Sequence, residues 1–108
     1  MIKVNIFKKG QDIEKIKITG HAKYADYGKD IVCSGVSSIV ITTITAIMSF
    51  DKKYISYTSI KDDFTEIRIF QQNEIVKTLI SNMVRLLNEV KEDYPKNIEI
   101  KEENLWIC

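Results

Sequence analysis

Twenty consecutive residues, Ile31 to Phe50, carry no charge in a chain of 108. The run is rich in Ile, Val and Thr, which favour strands, but strands rarely exceed ten residues. Length therefore predicts a helix. Helical spacing agrees: Val32, Val36, Ile39, Val40, Ile44 and Ile47 form one broad apolar stripe, and Ser34, Ser38, Thr42, Thr45 and Ser49 form a small, weakly polar one. A run of this length also meets the minimum for crossing a bilayer. Seven of its residues are Ser or Thr, and Gly35 and Cys33 add two more small ones, a composition that favours a buried helix over a span. A helix without a charged face must be covered on most sides, by a sheet and by a second helix or a partner subunit.

The rest of the chain supplies that cover. Ile2, Val4 and Ile6 alternate with Lys3, Asn5 and Phe7 in a half-buried strand. Lys9-Gly10-Gln11-Asp12 is a turn, Ile16 and Ile18 mark a second strand, and Gly20 ends it. After the long helix, Tyr54 to Ile60 and Phe64 to Phe70 flank Lys61-Asp62-Asp63 as a second hairpin. Ile67 and Ile69 face one way there, Glu66 and Arg68 the other. Asn73 caps an amphipathic helix with the stripe Ile75, Leu79, Met83, Leu86, Leu87, Val90 and Tyr94, which Pro95 stops. Ile98 and Ile100 belong to a last strand, and the tail Leu105-Trp106-Ile107-Cys108 is apolar again. The order ββα-ββα-β predicts an α+β fold, a single-domain sandwich over residues 1–108 with two helices on a mainly antiparallel sheet.

Net charge is +1, with lysines and glutamates scattered along the strands. That argues against a dominant electrostatic grip on nucleic acid, and no nucleic-acid site is expected. No signal-peptide pattern precedes the strand beginning at Ile2, and there are only two cysteines. The expectation is a reducing, cytoplasmic setting without membrane attachment, in which Cys33 and Cys108 stay unpaired. Zinc is not expected either. His21, Cys33 and Cys108 supply at most three ligands and have no paired-cysteine spacing, so no cofactor is called for.

The chemistry concentrates in Gly20 to Ser37. Here stand the only histidine, His21, and Cys33 twelve residues later. Asp30 occupies the expected N-cap of the long helix, which would place Cys33 in its first turn. There a thiol is favoured as thiolate, the nucleophilic form, and the unpaired N–H groups of Cys33 and Ser34 could hold a developing oxyanion. Gly35 leaves the surface open, and Ser37, one turn on, shares the face of Cys33. Only His21 has a side chain that titrates near neutrality, so an imidazole base must be His21, oriented by Asp26 or Asp30. Taken singly these residues are ordinary. A Cys in an apolar helix is usually inert core, a loop His is usually solvated, and Tyr24 and Tyr27 usually pack. Their joint placement is what points to a Cys-His nucleophile.

Gly20-His21-Ala22, then Tyr27-Gly28, then Asp30-Ile31-Val32-Cys33 followed by small residues and Ser37, resembles the Prp (YsxB-like) family of ribosomal-processing cysteine proteases. The resemblance runs through nearly the whole chain. It implies a cytoplasmic, homodimeric cysteine endopeptidase that removes the short N-terminal extension of the large-subunit ribosomal protein bL27, after a phenylalanine pair and before a small residue. It also implies that His21 is the catalytic histidine and Cys33 the nucleophile. Asp30 and Ser37 match motif positions around the site, and Gly20 and Gly28 bound a substrate loop. Ser34-Gly35 replaces the more usual small pair beginning with Ala, and the tail with Trp106 and Cys108 has no motif counterpart.

The residues also speak without the family. So much uncharged helix in a small chain suggests a homodimer, and the rim of Tyr24, Tyr27 and Gly28 suits large apolar substrate side chains. Two rival readings remain at this level. One is a non-catalytic ribosome-associated binding module with a structural Cys33. The other is a redox or acyl-carrier protein using Cys33 and Cys108.

Overall fold

The computed structural model describes residues 1–20, 27–60 and 64–105, with residues 27–30 described in backbone alone. Its elements are β1 (Ile2–Lys9), β2 (Asp12–Thr19), α1 (Tyr27–Phe50), β3 (Ile55–Ile60), β4 (Phe64–Ile69), α2 (Glu74–Asp93) and β5 (Ile98–Asn104). They are the elements read from the sequence, in the same order. The strands form one five-stranded sheet in the order β3-β4-β2-β1-β5. Every neighbouring pair is antiparallel except β1 with β5, which are parallel. The sheet is therefore mixed, with one parallel edge strand. The parallel pairing follows from chain path, because β5 is reached over α2 rather than by a hairpin.

Strand alternation sorts the sheet into two faces. Ile6 pairs with Ile16, which pairs with Ile67, while Ile2 lies beside Ile98. All five are buried, as are Val4, Ile55 and Ile69. Both helices lie on this face. α1 contributes Val32, Val36, Val40, Ile44 and Ile47, and α2 contributes Val76, Ile80, Met83 and Leu87, to one continuous core. Gly10 opens the two-residue loop between β1 and β2 at φ 64°, the left-handed conformation that tight hairpins need at that position.

Asn73 caps α2 as expected. Its side-chain oxygen accepts from the Val76 N–H at 2.9 Å, and the helix closes at Tyr94, whose N–H donates to the Val90 carbonyl. The centre of the buried stripe is shifted from the expected one. Val76 and Ile80 are in the core, whereas Ile75, Leu79, Leu86 and Val90 flank it half-buried. Apolar residues occur there in adjacent pairs, so their spacing outlines a wide stripe without marking its midline.

α1 follows the predicted division. Of its valine and isoleucine stripe Val32, Val36, Val40, Ile44 and Ile47 are buried and Ile39 is half-buried, and Ser34, Ser38, Thr42, Thr45 and Ser49 are all exposed. Several hydroxyls are satisfied within the helix: Thr43 donates to the Ile39 carbonyl, Thr45 to Ile41 and Ser49 to Ala46. The segment Ile31–Phe50 is long and apolar enough to cross a membrane by length and composition. In this fold its valine stripe is packed into the core against the sheet and α2. Within the single chain the cover is one-sided: Ile31, Ile41 and Phe50 are 43%, 43% and 61% exposed. Sheet and α2 together reach one side of the helix and leave an uncharged face open.

Candidate active site

Two elements bring the predicted residues together: the end of β2 and the early turns of α1. Gly20 closes β2 at φ 82°, and a Cβ built on it would run into the backbone carbonyl of Met1. Only glycine fits where the start of β1 passes so closely. Beside it, Cys33 is half-buried and packs against the core. Gly20, Cys33 and Ser37 line the same groove of about 140 Å³. Its floor is apolar (Ile2, Ile18, Val36 and Val40), and Ile41 borders it from α1. A thiol in such a groove faces both a binding surface and solvent, the setting that a nucleophile acting on a bound chain requires.

The opposite wall carries Tyr57, Ser59 and Thr65, three hydroxyls that the sequence reading did not single out. They come together through register. Ser59 pairs with Thr65, which pairs with Ile18, and Tyr57 sits two residues from Ser59 on the same face of β3. The signal was present as period-two alternation, Ile55, Tyr57, Ser59, running off the end of the core. It was unreadable without knowing which strand lies next to which.

The start of α1 corrects one expectation. The helix begins at Tyr27, so Asp30 lies inside it and is not its N-cap, and Cys33 is its seventh residue. Tyr27 to Asp30 add a turn ahead of the start expected at Ile31. In an α-helix the N–H groups of Cys33 and Ser34 then bond the carbonyls four residues earlier, and the dipole's influence fades beyond the first turn. Neither the oxyanion role of those amides nor activation of the thiol by the helix end follows from this geometry. Ser34 is exposed and does not line the groove, and Gly35 has open space where a side chain would project. Tyr27, Gly28 and Asp30 stand in the added turn with only their backbone described. His21, Tyr24, Asp26, Trp106 and Cys108 lie outside the described residues.

Comparison with known proteins agrees with this architecture. Residues 1–99 match the family model described as Cysteine protease Prp. The ribosomal processing cysteine protease Prp of Staphylococcus aureus is 26% identical over 90 residues, which covers 82% of this chain and 85% of that protein. Its counterpart in Bacillus subtilis is 26% identical over 99 residues, covering 82% and 84%. The crystal structure of the S. aureus protease in complex with a substrate peptide superposes with a TM-score of 0.86, at 24% identity, over 95% of this chain and all of that one. The structure of the same enzyme with a covalently linked product peptide gives 0.84 over the same coverage.

Proposed function

The chain belongs to the Prp family of cysteine proteases, a cysteine-type peptidase by that membership, and from that premise we propose that it removes the N-terminal extension of ribosomal protein bL27. The cut falls after a bulky aromatic pair and before a small residue. The observation that carries the reading is the placement of Cys33 in an apolar-floored groove with Gly20 and Ser37. The peptides bound in complexes of the S. aureus protease support a peptide as substrate.

In the proposed mechanism His21 takes the proton of the Cys33 thiol, and Sγ attacks the scissile carbonyl carbon. The tetrahedral oxyanion collapses as His21 returns the proton to the leaving amine, which breaks the peptide bond and leaves a thioester. Water, deprotonated by His21, attacks the thioester and restores the thiol. Because the Cys33 and Ser34 amides are engaged in α1, oxyanion stabilisation falls to groove hydroxyls. Ser37, one helical turn beyond Cys33 and lining the same groove, takes this role. The apolar floor of Ile2, Ile18, Val36 and Val40 receives the aromatic pair.

The enzyme works in the cytoplasm as a homodimer under this reading. Support for a second copy comes from the open face of α1, where Ile31, Ile41 and Phe50 stand among exposed serines and threonines with no charge between them. The test is a peptide spanning a Phe-Phe-small stretch, followed by mass spectrometry. Cys33→Ala should bind this peptide and leave it whole. Turnover by that variant would exclude Cys33 as nucleophile. Replacing the first phenylalanine by alanine should slow cleavage far more than changes beyond the cut.

A further inference from the structure

The face of the sheet turned away from both helices has no covering layer among the described residues. Register decides what stands on it. Lys3, Asn5 and Phe7 of β1 alternate with the buried Ile2, Val4 and Ile6, and they pair with Thr19, Lys17 and Lys15 of β2. These in turn pair with Phe64, Glu66 and Arg68 of β4. Lysines that are dispersed along the sequence are thereby gathered around two half-buried phenylalanines on the three central strands.

The contacts are specific. Lys15 Nζ lies 4.7 Å from the centre of the Phe7 ring. Lys17 Nζ lies 5.9 Å from the centres of both Phe7 and Phe64, so it stands between the two rings. Most acids on this face are already engaged. Arg68 Nε is 2.8 Å from Glu66 Oε1, an ion pair without an aligned hydrogen bond, and Lys101 is 3.6 Å from Glu99. Glu103, beside Phe7 on the edge strand β5, is the remaining one among the described residues. Lys3, Lys15 and Lys17 make no ion pair among the described residues.

We propose that this open face is a platform for single-stranded nucleic acid, with Phe7 and Phe64 stacking bases and Lys3, Lys15 and Lys17 taking phosphates. An exposed sheet with aromatic rings between lysines offers the two things a single strand needs, a flat π surface for each base and a cation for each phosphate. The ammonium groups rest on the rings by cation–π attraction, which at exposed sites is weaker than base stacking. An incoming base therefore displaces a lysine onto the neighbouring phosphate. A duplex hides its bases and fits poorly. This inference is independent of the protease reading, since the face lies across the sheet from the groove of Cys33.

The experiment titrates the full chain into fluorescein-labelled twelve-nucleotide oligouridylate and follows anisotropy, with peptide cleavage measured in parallel. Saturable binding is expected in 50 mM salt. With three phosphates neutralised on a single strand, affinity should fall about 20-fold on going to 200 mM. The triple variant Lys3→Glu, Lys15→Glu, Lys17→Glu should lose binding with its circular dichroism spectrum unchanged. Phe64→Leu should weaken binding roughly tenfold by loss of stacking, and Glu103→Lys should strengthen it. Absence of binding in 50 mM salt overturns the proposal. So does unchanged binding by the triple variant, or competition by polyglutamate equal to that by oligouridylate, which would mark a surface for acidic polypeptides instead.

Discussion

Gly20→Ala tests the architecture of the groove at its tightest point. Gly10 and Gly20 both have left-handed φ, 64° and 82°, and differ in surroundings. A Cβ on Gly10 meets nothing within 4 Å, whereas one on Gly20 collides with the Met1 carbonyl. Left-handed backbone alone costs an L-residue about 1–2 kcal/mol, which is the whole expected effect of Gly10→Ala. Gly20→Ala carries the same cost and must also push the start of β1 aside. β1 is paired on both edges, to β2 and β5, and Ile2 is anchored by its N–H to the Asn97 carbonyl at 2.9 Å. Adding about 1–2 kcal/mol for a shift that disturbs this packing gives a total of roughly 3 kcal/mol. Urea unfolding by circular dichroism reads both values from the midpoint at constant slope. The decisive arm is a chain produced to begin at Ile2, which lacks the obstructing carbonyl. In that background Gly20→Ala should cost no more than Gly10→Ala. Equal losses for the two substitutions in the full chain, or no relief on removing Met1, would refute the close approach of Met1 to the mouth of the groove.

Three further outcomes follow from packing and caps. Ile16 is fully buried between Ile6 and Ile67 at the centre of the sheet, so Ile16→Ala should cost about 2–5 kcal/mol, seen as a lower urea midpoint. Asn73→Ala removes the acceptor for the Val76 N–H and should cost about 1 kcal/mol, while Asn73→Asp should restore most of it. Ile41→Lys with Phe50→Lys changes two exposed residues and should leave the fold intact. If the open face of α1 holds a second copy, sedimentation velocity will show the variant as monomer at concentrations where the parent is dimeric.

Element order was legible because each element carries its own periodicity. Alternation at Ile2, Val4 and Ile6, the cap at Asn73 and the stop at Pro95 are local signals, and the structure keeps them. What depends on neighbours was not legible. The parallel pairing of β5 with β1 is a choice between sheet edges that no run of residues encodes. The start of α1 was misplaced by four residues, because Asp30 reads equally well as a cap or as a residue within the first turns. That small displacement has chemical weight, since it takes the Cys33 amide out of the set of unpaired donors at the helix start.

The same distinction separates what the candidate site shares with the sheet's open face. Ser37 stands one turn beyond Cys33, so the face they share was readable from spacing, whereas the approach of Gly20 to that face depends on how β2 leads into α1. Tyr57, Ser59 and Thr65 join them only through the register of β3, β4 and β2. Lys3, Lys17 and Phe64 are likewise far apart in the chain, and overall charge near neutrality concealed their convergence. A strand sends alternate residues to opposite faces, so a balanced sequence can present an unbalanced surface wherever its acids are engaged by neighbouring cations. Here Glu66 and Glu99 are paired with Arg68 and Lys101, and Lys3, Lys15 and Lys17, without an ion pair among the described residues, are left on the central strands. One fold thus sets a thiol groove on the helix side of the sheet and a cationic aromatic face on the other. A lysine-to-glutamate change on the second should leave peptide cleavage at the first unaltered.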